Sequence, residues 1–218
     1  MLTSSRKEHC SLNPGYFQAI NSTQDQAPLF FCTELWQDIR VMLLGISLEV
    51  PQEIHNYVRN LQFEFKEKYN VVLGLDQPPH ITLKRPFERE DSTEFENFLS
   101  AYVKTLKKFR VNIQGFGFFE EGVIFLRVIE SENLNRLKTQ ICNYLEEKLN
   151  VAQDDLEKDG FVFHLTLAYG DVSQETLERI KKDYLSKDVR FTFLTKSISL
   201  LRNSGEKWLP TKIFILND

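Results

Sequence analysis

PPHITLKRPF (78–87) and FVFHLTLAYG (161–170) decide how this chain is read, because each holds the same four-residue phrase. The first is His80-Ile81-Thr82-Leu83 and the second His164-Leu165-Thr166-Leu167. Both sit in apolar, β-branched runs that predict strands. Strand side chains alternate between faces, so His80 and Thr82 share one face while Ile81 and Leu83 take the other. His164 and Thr166 repeat that layout. Each phrase thus offers an imidazole beside a hydroxyl, with apolar anchors behind them. Two opposed imidazoles can serve as base and acid, and two hydroxyls can hold an anion between them. That constellation suits phosphoester cleavage without a metal. A single H-x-T would be an ordinary half-buried strand histidine. Here two of the chain's four histidines carry the pattern, and the pair is the signal.

The surrounding pattern is duplicated as well. VMLLGISLEV (41–50) predicts a strand, and Pro51 opens a helix with Ile54, Tyr57, Val58, Leu61 and Phe65 on one face. The first histidine phrase follows the turn signal Asp76-Gln77-Pro78-Pro79. Asp91 or Ser92 then caps a helix, and FRVNIQGFGFF (109–119) closes the unit as a strand. VIFLRVIE begins the order again: a helix capped by Ser131, the second histidine phrase, a helix capped by Ser173, and the strand VRFTFLT. Helix starts recur after roughly 80 residues and the histidines after 84, which is an internal duplication of pattern. SISLLRN and TKIFIL add a terminal strand pair across a loop that contains Trp208. The expected fold is α+β and bilobal: two pseudo-symmetric β-α-β-α-β lobes, about 40–119 and 120–218, with largely antiparallel sheets flanking a central cleft. Terminal strands are free to cross between lobes. If each lobe offers its histidine strand to the cleft, His80 faces His164.

Residues 1–39 differ in composition, being rich in Ser, Asn, Gln and Thr with Pro14-Gly15 and Pro28 as breakers. Their aromatics (Tyr16, Phe17, Phe30, Phe31, Trp36) predict an N-terminal extension that packs partly onto the domain at 40–218. The 218 residues carry a net charge of −4, which supplies no positive field for a long duplex. A short oligonucleotide end or a small nucleotide stays compatible. Cys10, Cys32 and Cys142 are scattered and odd in number, as expected of reduced thiols in a cytoplasmic protein. No apolar run reaches the length of a membrane span, and the N-terminus lacks a signal-peptide core. No membrane partner is expected, and the protein is expected to be monomeric.

At these residues the chain resembles the two-histidine (2H) phosphoesterase superfamily, which includes the 2′-5′ RNA ligase-like proteins and RNA 2′,3′-cyclic phosphodiesterases. The family pattern is two H-x-T/S-x phrases roughly 80 residues apart, and the resemblance spans about 40–218. It implies a bilobal α+β fold and a site that uses no metal or other cofactor. It also implies hydrolysis of a 2′,3′-cyclic phosphate or 2′-5′-linked phosphodiester in RNA processing. Carried over by position, His80 and His164 would be the acid–base pair, and Thr82 and Thr166 would donate to the non-bridging phosphate oxygens.

Further residues are weaker candidates for substrate binding. Lys84 shares the alternation face of His80 and Thr82 and would add positive charge near the phosphate, with a solvated strand-end lysine as the competing role. Arg85 is expected to point away with Leu83. Phe87 and Tyr169 could stack on a base, with core packing as the alternative for each. Arg202, near the end of SISLLRN, could reach a phosphate or stay a surface arginine. His55 reads as a surface histidine, and Lys104–Lys108 as the wet end of a helix. Two alternatives to the RNA-end phosphodiesterase stay open. One is a non-catalytic RNA-end or nucleotide-binding module, and the other an enzyme acting on a cyclic oligonucleotide signal. The intact histidine and threonine pairs favour an enzyme. Neither phrase carries the carboxylate or third histidine that a divalent ion would want.

Overall fold

The computed structural model describes residues 41–217; the extension read over 1–39, with His9, Cys10 and Cys32, lies outside them. The described elements run β1 (Met42–Glu49), α1 (Gln52–Tyr69), β2 (His80–Arg89), α2 (Thr93–Tyr102), β3 (Arg110–Phe119), β4 (Val123–Ile129) and α3 (Glu132–Leu149). They continue through α4 (Asp155–Lys158), β5 (His164–Ala168), α5 (Gln174–Tyr184), β6 (Arg190–Leu194), β7 (Ser197–Asn203) and β8 (Trp208–Ile215). The eight strands form one curled sheet in the order β6-β3-β4-β5-β2-β1-β7-β8. Every ladder in it is antiparallel. Among the described residues no helix is long and apolar enough to cross a membrane.

The duplication extends to the helix ends. Helices α1 and α3 are each 18 residues long and stop at an asparagine in the left-handed region, Asn70 (φ 57°) and Asn150 (φ 52°). The residue that follows reaches back six positions in both: Val71 N–H donates to the Phe65 carbonyl and Val151 N–H to that of Leu145. This is the Schellman closure, which satisfies carbonyls left open at a helix end. Ser131 caps α3 and Ser173 caps α5, each accepting from the backbone N–H three residues on. At α2 it is Asp91, not Ser92, whose carboxylate accepts from Thr93 N–H. The link from Asn150 to His164 is four residues longer than that from Asn70 to His80, and it carries the one-turn helix α4.

Sequence units and half-sheets do not coincide. Strand β3, which closes the first unit, pairs with β4 and β6 of the second. Strands β7 and β8, at the chain's end, join β1. The helices cross too. α1 packs against β5, with Tyr57 edge-on to Phe191 of β6 (5.1 Å) and Phe65 edge-on to Tyr184 of α5 (5.0 Å). α3 packs against β2, where the Cys142 thiol donates to the Leu83 carbonyl at 3.6 Å. One face of the sheet, including Leu44, Ile46, Leu48, Ile81, Leu165 and Leu167, is buried in a single core with the apolar stripes of these helices. The half-sheets meet at β2 and β5 through one bridged pair, Ile81 and Leu165, both wholly buried.

Candidate active site

The Ile81–Leu165 pair places the site. Continuing its antiparallel register sets His80 across from Thr166 and Thr82 across from His164, all four on the face opposite the core. The imidazoles thus take one diagonal of a square and the hydroxyls the other. All four side chains are half-buried and line a cleft of about 610 Å³.

Each histidine is held in the same way. His80 Nδ1 lies 2.7 Å from the Pro78 carbonyl and His164 Nδ1 2.7 Å from that of Val162. A carbonyl only accepts, so Nδ1 carries a proton in both rings and Nε2 is left to exchange one. Neutral, Nε2 accepts a proton; charged, it gives one up. The Thr82 hydroxyl is 3.4 Å from His80 Nε2, so imidazole and hydroxyl address the same point in space. Burial pulls both histidines below the ordinary imidazole range, the carbonyl bonds oppose that, and a nearby charge adds to it: His164 for His80, Arg85 for His164. His164 is further braced by aromatic rings, Phe125 at 5.1 Å and Phe119 at 5.4 Å between centroids. Phe125 can lie there because Gly117 stands opposite it in β3. A Cβ at Gly117 would fall 2.2 Å from the Phe125 ring.

Beyond Thr82, strict alternation fails. From Thr82 to Lys84, β2 spends two residues against one in β1, and from Lys84 to Phe87 three against two. These bulges re-aim side chains. Lys84 comes to pair with Ile46, a residue of the core face. Although it borders the cleft, its side chain is 2% exposed and its ammonium is bound to the Glu157 carboxylate and the Ala152 carbonyl. The expected free cation near the phosphate is therefore a buried, compensated one. Arg85, expected to point away, instead lines the cleft. Its backbone N–H donates to Glu157 Oε1 (2.7 Å), and its guanidinium meets Asp154 (2.6 Å) at the rim.

Of the other sequence candidates, Tyr169 lines the cleft, its phenol raised by burial and by Asp76 and Asp171. Phe87 faces the core, its ring 5.1 Å from that of Phe95, so it is not placed to stack on a ligand. Arg202 is exposed on β7 and outside the cleft lining. Sequence reasoning turned Arg85 away from the cleft and missed Glu157 and the Phe119–Phe125 brace. It noted Trp208 without a role. The indole lies 3.7 Å from where a Gly45 Cβ would be, so the lone glycine of β1 was the available hint. Leu156, Phe161 and Val162, on the link around α4, supply the cleft's apolar lip. Glu157 anchors that link: besides Lys84 and Arg85, its own carbonyl accepts from the Lys138 ammonium, which sits 4.7 Å over the Phe161 ring.

A model of the 2′-5′ RNA ligase superfamily matches residues 50–207. A curated relative from Oceanobacillus iheyensis, named "Putative phosphoesterase OB1230", is 25% identical over 182 residues, which cover 80% of this chain and 98% of that protein. Among solved structures, TT0787 of Thermus thermophilus superposes with a TM-score of 0.59 at 18% identity, over 80% of this chain and 98% of its own. Escherichia coli LigT, crystallised with 3′-AMP, gives 0.58 at 17% identity over 82% and 99%. At those identities the two structures speak for the fold.

Proposed function

The chain belongs to the 2′-5′ RNA ligase superfamily, and from that premise we propose that residues 40–218 are a phosphodiesterase. It hydrolyses a 2′,3′-cyclic phosphate or a 2′-5′-linked phosphodiester at an RNA end or in a small nucleotide, and it needs no metal. One observation carries this reading: two imidazoles, each locked through Nδ1 to the carbonyl two residues back, line one cleft together with Thr82 and Thr166, the Thr82 hydroxyl 3.4 Å from His80 Nε2. The phosphate lies between the two diagonals. One neutral Nε2 takes a proton from water as its oxygen bonds to phosphorus. The other, as imidazolium, gives its proton to the departing ribose oxygen as that P–O bond breaks. The sum is addition of one water across one ester bond, and the two histidines end with exchanged protons. Thr82 and Thr166 donate to the non-bridging oxygens, where negative charge builds up.

Burial by itself opposes the imidazolium, but a bound phosphodiester brings an anion between the rings and favours protonating one of them. The cleft therefore acquires its acid together with its substrate. The 3′-AMP bound by LigT supports a nucleotide monophosphate as the kind of product released here. The protein acts as a monomer in the cytoplasm in this reading. The test is incubation of the purified chain with 2′,3′-cyclic nucleotides, 2′-5′ dinucleotides and cyclic di- and trinucleotides, with and without EDTA. Turnover of one of the first two classes that survives the chelator is expected. Loss with EDTA and recovery with added metal overturns the metal-free mechanism. Binding without turnover of any class leaves a nucleotide-binding module instead.

A further inference from the structure

We propose that Arg85 makes this cleft select ligands bearing a second phosphate group beside the one held by the histidines, so that an oligonucleotide end or a nucleoside bisphosphate is preferred to a mononucleotide. The inference rests on the phosphodiesterase reading for its substrate and on the cleft's own geometry for its direction. The site's twofold pattern duplicates imidazole, hydroxyl and carbonyl lock, then breaks beyond the two phrases, where Lys84 matches Ala168. Five residues on from His80 stands Arg85 and from His164 Tyr169, and both residues line the cleft. The symmetric part suffices for a phosphate, whose two ester arms are alike. What flanks the phosphate meets a guanidinium at one end and a phenol at the other, which gives the ligand an orientation.

Arg85 is built to move its charge while its backbone stays fixed. Glu157 Oε1 holds the backbone N–H at 2.7 Å from within the buried cluster. The guanidinium pairs with Asp154 at the rim, where the side chains are 40% and 48% exposed. Exposed pairs of this kind contribute little, because water screens them. A phosphate, which accepts the guanidinium fork through two oxygens at once, can displace Asp154 at small cost. Lys84 cannot take this role, since its ammonium is compensated in the core. Arg85 also stands close enough for its charge to bear on His164, next to the phosphate between the histidines.

The test compares adenosine 3′,5′-bisphosphate with 3′-AMP by calorimetry, at constant salt and at a pH where both are ionised. The wild-type chain should bind the bisphosphate at least about tenfold more tightly. Arg85→Gln should collapse that ratio to within about threefold. Asp154→Asn keeps an N-cap for α4 but frees the guanidinium, and should widen the ratio. Equal wild-type affinities overturn the proposal. So does an Arg85→Gln variant that weakens both ligands by the same factor, which would put Arg85 on the central phosphate. A second arm compares kcat/KM for adenosine 2′,3′-cyclic phosphate with and without a 5′-phosphate. If neither is hydrolysed while the binding ratio and its loss are as expected, the hydrolytic reading fails and the role of Arg85 stands.

Discussion

Residue by residue, the site is a pair of imidazoles that must remain in register with each other. His80→Ala or His164→Ala should each remove nearly all turnover, and the double variant should be little worse than either, because acid and base serve one transition state. Additive losses would mean separate roles. Thr82→Val and Thr166→Val delete one donor each and should slow the reaction roughly ten- to a thousandfold. Gly117→Ala is a subtler probe. Its methyl would press the Phe125 ring toward His164, and a displaced base or acid can cost about a hundredfold in rate. The loss should appear in kcat more than in 3′-AMP affinity. An unchanged kcat would show that Phe125 yields without moving the histidine. Because burial depresses both imidazoles, the bell of kcat/KM should lie on the acid side of about pH 6.5. The bell for kcat, which belongs to the loaded site, should be displaced to higher pH by the bound anion. A flat profile with chemistry rate-limiting would remove histidine acid–base catalysis from this account.

Element by element, what the sequence revealed and what it concealed have a common physical root. Caps, apolar stripes and strand alternation are local, so both long helices, both histidine strands and the four central side chains could be read from neighbours within a few positions. The β2 bulges are not local. They are set by pairing with β1 and by Glu157, which lies 73 residues beyond Lys84. Alternation alone therefore makes Lys84 a free cation of the cleft and turns Arg85 away, whereas in the structure both border the cleft and Lys84 is the one buried against Glu157. The DDLE run at 154–157 did hold a capping-box signature, and the box is formed, but nothing local paired its glutamate with Lys84. This cluster has its own test. Glu157→Ala strands a buried ammonium and should cost about 3–5 kcal/mol of stability, whereas Lys84→Met combined with Glu157→Leu should recover most of it. Denaturant unfolding checks both variants. If the double variant is no better than the single, the remaining bonds of the Glu157 backbone and Lys138 carry the α4 link.

For the molecule as a whole, folding and proton uptake are linked through the same histidines. Their folded-state pKa values lie below the unfolded value of about 6.5, so the unfolded chain binds more protons as the pH falls. Their share of stability is intact above about pH 6.5 and is lost on acidification through that value toward the folded pKa values. Denaturant midpoints between about pH 7.5 and 5 should show this fall, and replacing both histidines by Gln should flatten it. Carboxylates such as Glu64 and Glu96, held low by Lys68 and Lys212, act in a separate window below about pH 4.5. The exchange of β3, α1 and α3 across the Ile81–Leu165 junction has a consequence for ancestry. A primitive chain holding one β-α-β-α-β unit would own a single imidazole, and its closing strand would have no partner within its own sheet. Such a chain completes the machinery only by associating with its twin, the phosphate lying on the axis between them. The present chain carries both units in one polypeptide, and at the matching place they differ, Arg85 following one histidine and Tyr169 the other.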